Sequence, residues 1–337
     1  MRIGLIGAGA VAPFHIAAAA ENEGLHLTAV CDTDADAGAR AAAQGGNPAV
    51  FTDHRAMLDA GIVDAVIVNT PHSTHLPIGT DAASAGVHVL VEKPMANSPE
   101  DCDRLIAACR EGGVALAVGH IQHYLPEKIA AQQVLAGGEL GAVQMIRDNR
   151  STDYRPGTRS PWFFSPAIAG GGALMNIGGH CLDRSLWFGG GRAVEMLATT
   201  VNRFGSAVET DGAMLLRLDS GAGVSIAVVS DPATRADQMT VVCDGGVIEV
   251  DPRHGTTVHA DGRSRLVHRT RADDIQRAFT AQLADFAAVV GGAEPTVPLA
   301  HARHVVELVH AAYRSAAEGG AVSLANAHAH AHADAIA

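Results

Sequence analysis

Cysteine, basic charge and long apolar runs are all sparse in this 337-residue chain. The five cysteines, Cys31, Cys102, Cys109, Cys181 and Cys243, are odd in number, scattered, and include no C-x-x-C pair. That excludes a disulfide framework and reads as reduced thiols in a cytoplasmic protein. Lysine and arginine total 24 against 36 aspartates and glutamates, a formal net charge of -12. Such a balance argues against nucleic acid or an anionic membrane as the main partner. No apolar run approaches the ~18 residues that span a bilayer. The opening Met1-Arg2-Ile3-Gly4-Leu5-Ile6 enters a strand pattern at once and lacks a signal peptide's cleavage region. An H-E-x-x-H motif and a cysteine cluster are also missing, so no metal is expected.

What is present is 47% apolar and 18% charged residue content, enough to bury a large core. At roughly 150 residues per domain the length allows two domains. From Met1 to about Gly119 short apolar runs (Ile3–Ile6, Leu25–Cys31, Val63–Asn69, Val87–Val91, Val114–Val118) alternate with helical stretches (Val11–Glu21, Asp34–Ala43, Thr74–Ala85, Pro99–Glu111). Continuous apolar strands separated by helices predict a doubly wound parallel α/β sheet covered on both faces. Beyond Ile121 one helical stretch, Lys128–Leu135, leads into short candidate strands from Val143 to Val250, with Asp219-Ser220-Gly221 and Asp244-Gly245-Gly246 as turns. A meander of this kind predicts an α+β domain with a mostly antiparallel sheet. Two late helices, Asp273–Val290 and Leu299–Glu318, follow. The predicted division is a dinucleotide-binding domain over 1–121, a substrate and oligomerisation domain over 122–325, and a His/Ala-rich tail over 326–337. The tail's alternating histidines, His328, His330 and His332, read as a disordered terminus.

The first strand runs into Gly7-Ala8-Gly9-Ala10-Val11-Ala12, a G-x-G-x-x-A turn opening a helix. Gly7 permits the tight turn, Gly9 lets backbone approach a pyrophosphate, and Ala12 lets helix and strand pack closely. The helix N-terminus then offers its free N–H groups to the anion. Asp32, at the end of the second strand and twenty residues past Ala12, suits the adenosine ribose hydroxyls. Its charge opposes a 2′-phosphate, and Thr33-Asp34 supplies no base, so NAD is expected over NADP.

Val87–Val91 is followed by Glu92-Lys93-Pro94. Residues past the carboxyl end of such a strand overlie the ligand crevice, where the Lys93 ammonium can polarise an alcohol or share its proton. A solvated charge is the plainer reading of a lysine there. Pro94 is compatible with either a trans or a cis peptide. Asn69-Thr70-Pro71-His72-Ser73-Thr74-His75 closes the preceding strand at the same rim, with Ser73 or Thr74 as helix cap. His75 reads equally as a rim residue or a packed one.

Gly170-Gly171-Gly172 leads into Ala173–Asp183, on which Asn176, His180 and Asp183 stand at i, i+4 and i+7 of one helix face. Histidine titrates near neutrality and suits proton transfer; a hydrogen-bonded structural histidine is the alternative.

Together these segments resemble the Gfo/Idh/MocA oxidoreductases, the glucose-fructose oxidoreductase and inositol dehydrogenase family. Glu92-Lys93-Pro94 matches the family's E-K-P, Asn176–Asp183 its D-x-G-x-H-x-x-D with one change, and the likeness extends to Ala311–Ala316. The resemblance implies a Rossmann domain, a C-terminal domain whose open sheet supports a homodimer or homotetramer, and hydride transfer between a nicotinamide and a hydroxyl-bearing carbon of a sugar or cyclitol. It implies Lys93 as catalytic lysine and His180 as proton acceptor. The expected cofactor contacts are Gly7, Gly9, Ala10, Val11, Asp32, Thr33, Asn69, Thr70, His75, Glu92 and Lys93. Expected substrate contacts are Lys93, His120, Gln122, Tyr124, Trp162, Asn176 and His180. Asn176 replaces the usual aspartate, so it can hydrogen-bond a hydroxyl or orient the imidazole but cannot take a proton. His123 stands where many relatives carry arginine, which weakens the expectation of a strongly anionic substrate. Two other functions share the motifs: an NAD-assisted lyase or glycosidase with transient oxidation, and a non-catalytic dinucleotide or sugar sensor.

Overall fold

A computed structural model describes residues 1–231, 233 and 235–324; the histidine-bearing tail over 326–337 lies outside the described residues. The chain forms two compact units. The first comprises Met1–Pro126, Ala167–Gly170 and Arg271–Val306; the second comprises Glu127–Pro166, Gly171–Thr270 and the chain from Glu307.

In the first unit β1 (Arg2–Ile6), α1 (Ala12–Glu21), β2 (His26–Cys31), α2 (Ala35–Gln44), β3 (Ala49–Phe51), α3 (His54–Asp59), β4 (Ala65–Val68), α4 (His75–Ser84), β5 (His88–Glu92), α5 (Pro99–Glu111) and β6 (Leu116–Gly119) alternate. The six strands form a wholly parallel sheet in the order β3-β2-β1-β4-β5-β6. Successive side chains of a strand point to opposite faces, so each apolar run feeds two cores. Val66, Val68, Val89 and Val91 enter one; Ala65, Ile67 and Leu90 enter the other. The order reverses between β1 and β4, the position at which open α/β sheets form their ligand crevice.

The second unit holds α6 (Pro126–Ala136, all but its first residue), β7 (Val143–Thr152), α8 (Gly179–Gly189) and β8 to β14: Ala193–Val201, Asp211–Leu218, Gly223–Ser230, Ala236–Cys243, Gly246–Asp251, Gly255–Ala260 and Arg263–His268. With β15 (Val322–Ser323) they form a nine-stranded sheet, β14-β13-β12-β11-β7-β10-β9-β8-β15. Every neighbouring pair in this sheet is antiparallel except β7 with β10. The short α7 (Pro166–Ala169) precedes a π-helical turn over Leu174–Gly178 that runs into α8.

The two late helices, α9 (Asp274–Val290) and α10 (Leu299–Glu318), correct the linear division at 121. Phe279, Leu283 and Phe286, spaced i, i+4 and i+7 on α9, join one core of the parallel sheet, and Phe14 of α1 stacks on Phe279 with centroids 5.0 Å apart. Ala302 and Val306 of α10 join the other. Residues 271–306 therefore belong with the first unit. Among the described residues no helix is long and apolar enough to cross a membrane.

Candidate active site

The first unit builds the tight glycine turn between β1 and α1 that the sequence predicts. Gly7 has φ +98°, and a Cβ there would stand 2.1 Å from the Asn69 carbonyl oxygen, so no side chain fits. Its N–H donates to the Cys31 carbonyl at 2.8 Å, tying β1 to β2. A Cβ on Gly9 would meet nothing within 4 Å, while Gly9, Ala10 and Thr33 are exposed and Val11 is half-buried. This open side is what a dinucleotide pyrophosphate needs, and the turn fits that group. Asp32 closes the cradle: Oδ2 accepts from Ala8 N–H at 2.7 Å and Oδ1 from Asp34 N–H at 2.9 Å. Asp34 in turn caps α2. The carboxylate thus holds the turn's shape while remaining only half-buried.

Behind this surface lies a set of buried supports. Asn69 Nδ2 donates to the Gly7 carbonyl at 3.3 Å. The Thr74 hydroxyl does not cap α4; it turns back to Thr70 Oγ1 at 2.7 Å and the Pro71 carbonyl at 2.6 Å. His75 is fully buried, with Nδ1 2.8 Å from the Pro94 carbonyl and Nε2 2.9 Å from that of Thr70. Burial pushes its pKa down, and a neutral ring has one N–H to share between two carbonyls. The expectation of His75 as a cofactor contact is therefore corrected: it joins two rim loops from within. Glu92 is a support as well. Its Oε1 meets His15 Nε2 at 2.9 Å, and its Oε2 accepts from Lys93 N–H at 3.3 Å. The Lys93–Pro94 peptide is cis, and Lys93 itself is half-buried. Past β6, His120, Gln122 and Tyr124 are buried, and the Tyr124 hydroxyl donates to Asp285 at 2.8 Å.

The second unit carries the other group of expected residues. A Cβ on Gly172 would stand 2.0 Å from the Glu209 carbonyl oxygen, which explains a glycine there. The Glu209 carboxylate accepts from Gly172 N–H at 3.0 Å, Leu174 N–H at 2.8 Å and the Tyr313 hydroxyl at 2.9 Å. Burial raises its pKa despite these donors. Held at this end, the chain enters the π turn that contains Asn176 and then α8 with His180 and Asp183. The expected single face is modified: a π turn closes i→i+5 bonds rather than i→i+4. Asn176 and Asp183 are buried and His180 is half-buried. Trp162 is half-buried and stacks on Phe163 with centroids 3.7 Å apart.

Sequence reading missed Arg184, fully buried on α8. It grips Asp148 of β7 through Nε at 2.6 Å and Nη2 at 2.5 Å, and Asp237 of β11 through Nη1 at 2.5 Å. Burial opposes the Asp237 charge, but Arg184 and Arg150 outweigh it and hold that carboxyl well below its usual range. The only signal was a polar triplet, Asp183-Arg184-Ser185, set between Cys181-Leu182 and Leu186-Trp187-Phe188. Cys181, one residue after His180, is buried and its pKa is raised chiefly by burial, so it is an inert thiol.

A phosphate cradle on a doubly wound sheet, closed by an acidic strand end, with a second α+β unit bearing a helix histidine, defines the class: a two-domain oxidoreductase with a dinucleotide-binding fold. The chain belongs to the Gfo/Idh/MocA family. Residues 1–120 match its "Oxidoreductase family, NAD-binding Rossmann fold" domain, and residues 129–249 match its C-terminal domain. It is 30% identical over 228 residues to 1-carboxy-3-chloro-3,4-dihydroxycyclo hexa-1,5-diene dehydrogenase of Comamonas testosteroni, covering 67% of this chain but only 57% of that protein's length. It is 28% identical over 291 residues to inositol 2-dehydrogenase 2 of Saccharopolyspora erythraea, covering 84% of this chain and 83% of the relative. The crystal structure of GenD2 from gentamicin A biosynthesis in complex with NAD superposes with a TM-score of 0.86 at 29% identity over 96% of each chain.

Proposed function

We propose that the protein is an NAD-dependent dehydrogenase that oxidises a hydroxyl-bearing carbon of a sugar, cyclitol or sugar derivative. The observation that carries this reading is the Gly7–Ala12 turn stapled by Asp32, followed on the same sheet by Lys93 at the end of β5. Gly7, Gly9, Ala10, Val11, Asp32, Thr33, Asn69 and Thr70 form the cofactor surface, with Glu92 and His75 supporting it from behind. Bound NAD supplies the hydride acceptor. Lys93 then polarises the substrate hydroxyl oxygen, His180 takes the hydroxyl proton, and Asn176 orients the imidazole or the sugar by hydrogen bonding. Further proposed substrate contacts are His120, Gln122 and Tyr124, which follow β6, and Trp162 of the second unit. The named relatives, one acting on a cyclohexadiene diol and one on inositol, support a cyclic polyol. Asp32 disfavours a 2′-phosphate, which selects NAD over NADP.

The five cysteines are all free thiols, which suits the cytoplasm. The large sheet's outer face exposes Leu197, Val201, Leu215, Met145 and Val229, with Leu215 53% accessible and cross-strand paired to Leu197. An apolar face of this kind favours self-association, so a homodimer or homotetramer is proposed, with Leu215→Arg expected to lower the mass seen by light scattering.

Screening sugars and cyclitols with NAD⁺ for NADH absorbance, while analysing products by mass spectrometry, tests the activity. Net NADH with a ketone product supports a dehydrogenase. A released leaving group without net NADH replaces that reading with the redox lyase, and ligand binding without any product replaces it with the sensor.

A further inference from the structure

Alternate residues of β7 point to one side of its sheet. Ile146, Asp148, Arg150 and Thr152 share the side packed by α8, where Asp148 meets Arg184. Two guanidinium groups gather at the end of this row. Arg150 holds Asp237 no closer than 3.8 Å from its Nε, and its buried Nη1 has no hydrogen-bond acceptor. Arg159, in the loop after β7, donates from Nη2 to Thr152 Oγ1 at 3.3 Å and from Nε to the Asp153 carbonyl at 3.4 Å. It lies 5.0 Å above the Tyr154 ring and 5.7 Å from that of Phe163. Those rings fix its plane, and the Tyr154 hydroxyl locks the loop by donating to the Phe163 carbonyl at 3.1 Å.

The neighbouring carboxylates are already engaged. Asp148 and Asp237 bind Arg184, and Asp153 binds Arg155 through both oxygens at 2.6 and 2.8 Å. Burial, with the like charge of Arg150, pushes the Arg159 pKa down, although Tyr154 and Asp153 oppose the shift. Arg150 shares Asp237 with Arg184, whereas Arg159 is hydrogen-bonded to no carboxylate among the described residues, and a second guanidinium within Coulomb range of Arg150 is costly in partly desolvated surroundings. A planar fork of this type matches an oxyanion. The position also bears on the proposed chemistry: Phe163, under the Arg159 guanidinium, stacks on Trp162.

We infer that Arg150 and Arg159 form an oxyanion subsite, so that the sugar or cyclitol carries a carboxylate or a phosphoryl group. This rests on the reading of α8 as the substrate-bearing helix. It qualifies the expectation drawn from His123, because these cations stand on β7 and the loop after it, not at position 123.

The test uses the full chain with NADH and three neutral probes, glucose, galactose and myo-inositol, beside their uronates or phosphate esters. Thermal shift and calorimetry read binding; NADH formation with NAD⁺ reads turnover separately. At least one anionic probe is expected to bind about tenfold or more tightly than its neutral parent, as a charge-assisted pair allows. Which anion wins distinguishes carboxylate from phosphoryl. Arg159→Gln is expected to abolish that preference and Arg159→Lys to restore part of it. Arg104→Gln, which removes an exposed charge on α5, is expected to leave it unchanged. Equal binding of anionic and neutral probes, no anion binding at all, or a preference that survives Arg159→Gln overturns the subsite. Anion binding that depends on Arg159 without turnover of any probe upholds the subsite and counts against the dehydrogenase reading alone.

Discussion

His15 Nε2 stands 2.9 Å from Glu92 Oε1, joining the helix that opens the phosphate turn to the strand end that carries Lys93. Both residues are inside the parallel-sheet unit, His15 fully so. Burial alone raises the Glu92 pKa, but the His15 hydrogen bond and the charges of His15 and Lys93 outweigh it and hold the carboxyl below its usual value. A depressed carboxyl pKa stabilises the fold above the ordinary carboxylate range and loses that contribution as pH falls through the depressed value. His15→Leu leaves the carboxylate without its main partner and is expected to cost about 1–3 kcal/mol at neutral pH. Urea unfolding between acidic and neutral pH checks this. The loss should be largest where Glu92 is ionised and shrink under acid; a pH-independent loss would mean that only packing had been removed.

The parallel sheet was legible because its strands are buried on both faces: Val66-Ile67-Val68 and Val89-Leu90-Val91 have no polar interruption to misplace. β3 has three residues and α3 six, too short for any period to register. β14, the edge strand Arg263–His268, was missed because it carries charge where interior strands carry valine, and β13 because Gly255–Ala260 offers a single valine among small and polar residues. The stripe of Phe279, Leu283 and Phe286 announces a buried face on α9 but not which sheet it covers. Motif residues were found from their order along the chain. Supports such as Arg184 with Asp148, or Glu209 with Gly172, join residues 36 and 37 positions apart and depend on the folded topology.

Asp32 serves the turn and the cofactor together. Its Oδ2 holds Ala8 N–H at 2.7 Å, so Asp32→Ala removes a charged hydrogen bond as well as the ribose partner. NAD kcat/KM is expected to fall about tenfold or more, as loss of a charged hydrogen bond implies. NADP use should rise only in relative terms, because the turn it also needs is loosened. Steady-state kinetics with both cofactors decide the matter; native protein that prefers NADP would remove Asp32 as the selector.

Lys93 and Lys128 are the chain's two lysines. Lys128 is buried, with Nζ 2.8 Å from Glu127 Oε1, whereas Lys93 is half-buried. Acetic anhydride should therefore modify Lys93 in the native protein and reach Lys128 only after unfolding, as peptide mass mapping would show. NAD⁺ should protect Lys93. Lys93→Met is expected to lower kcat ~10²–10⁴-fold, the usual scale of a lost proton-transfer group, while NADH binding followed by fluorescence persists. Near-native kcat in that variant would take Lys93 out of the chemistry.

Asn176 and His180 mark the change from the family's usual aspartate–histidine spacing, and they flank the end of the π turn over Leu174–Gly178. If His180 accepts the hydroxyl proton, oxidation slows as the imidazole becomes protonated. Asn176→Asp introduces a carboxylate into buried surroundings near the start of α8. An opposite charge there favours imidazolium, so the acidic limb of the kcat/KM profile should move to higher pH. Burial also disfavours the new carboxylate itself, which limits the displacement and allows part of it to appear as lost stability. His180→Ala is expected to be nearly inactive at every pH, with NAD binding retained because the cradle from Gly7 to Asp32 is untouched. An acidic limb that stays in place in Asn176→Asp would show that residue 176 does not tune the proton acceptor. Native activity in His180→Ala would instead send the proton through Lys93 or water.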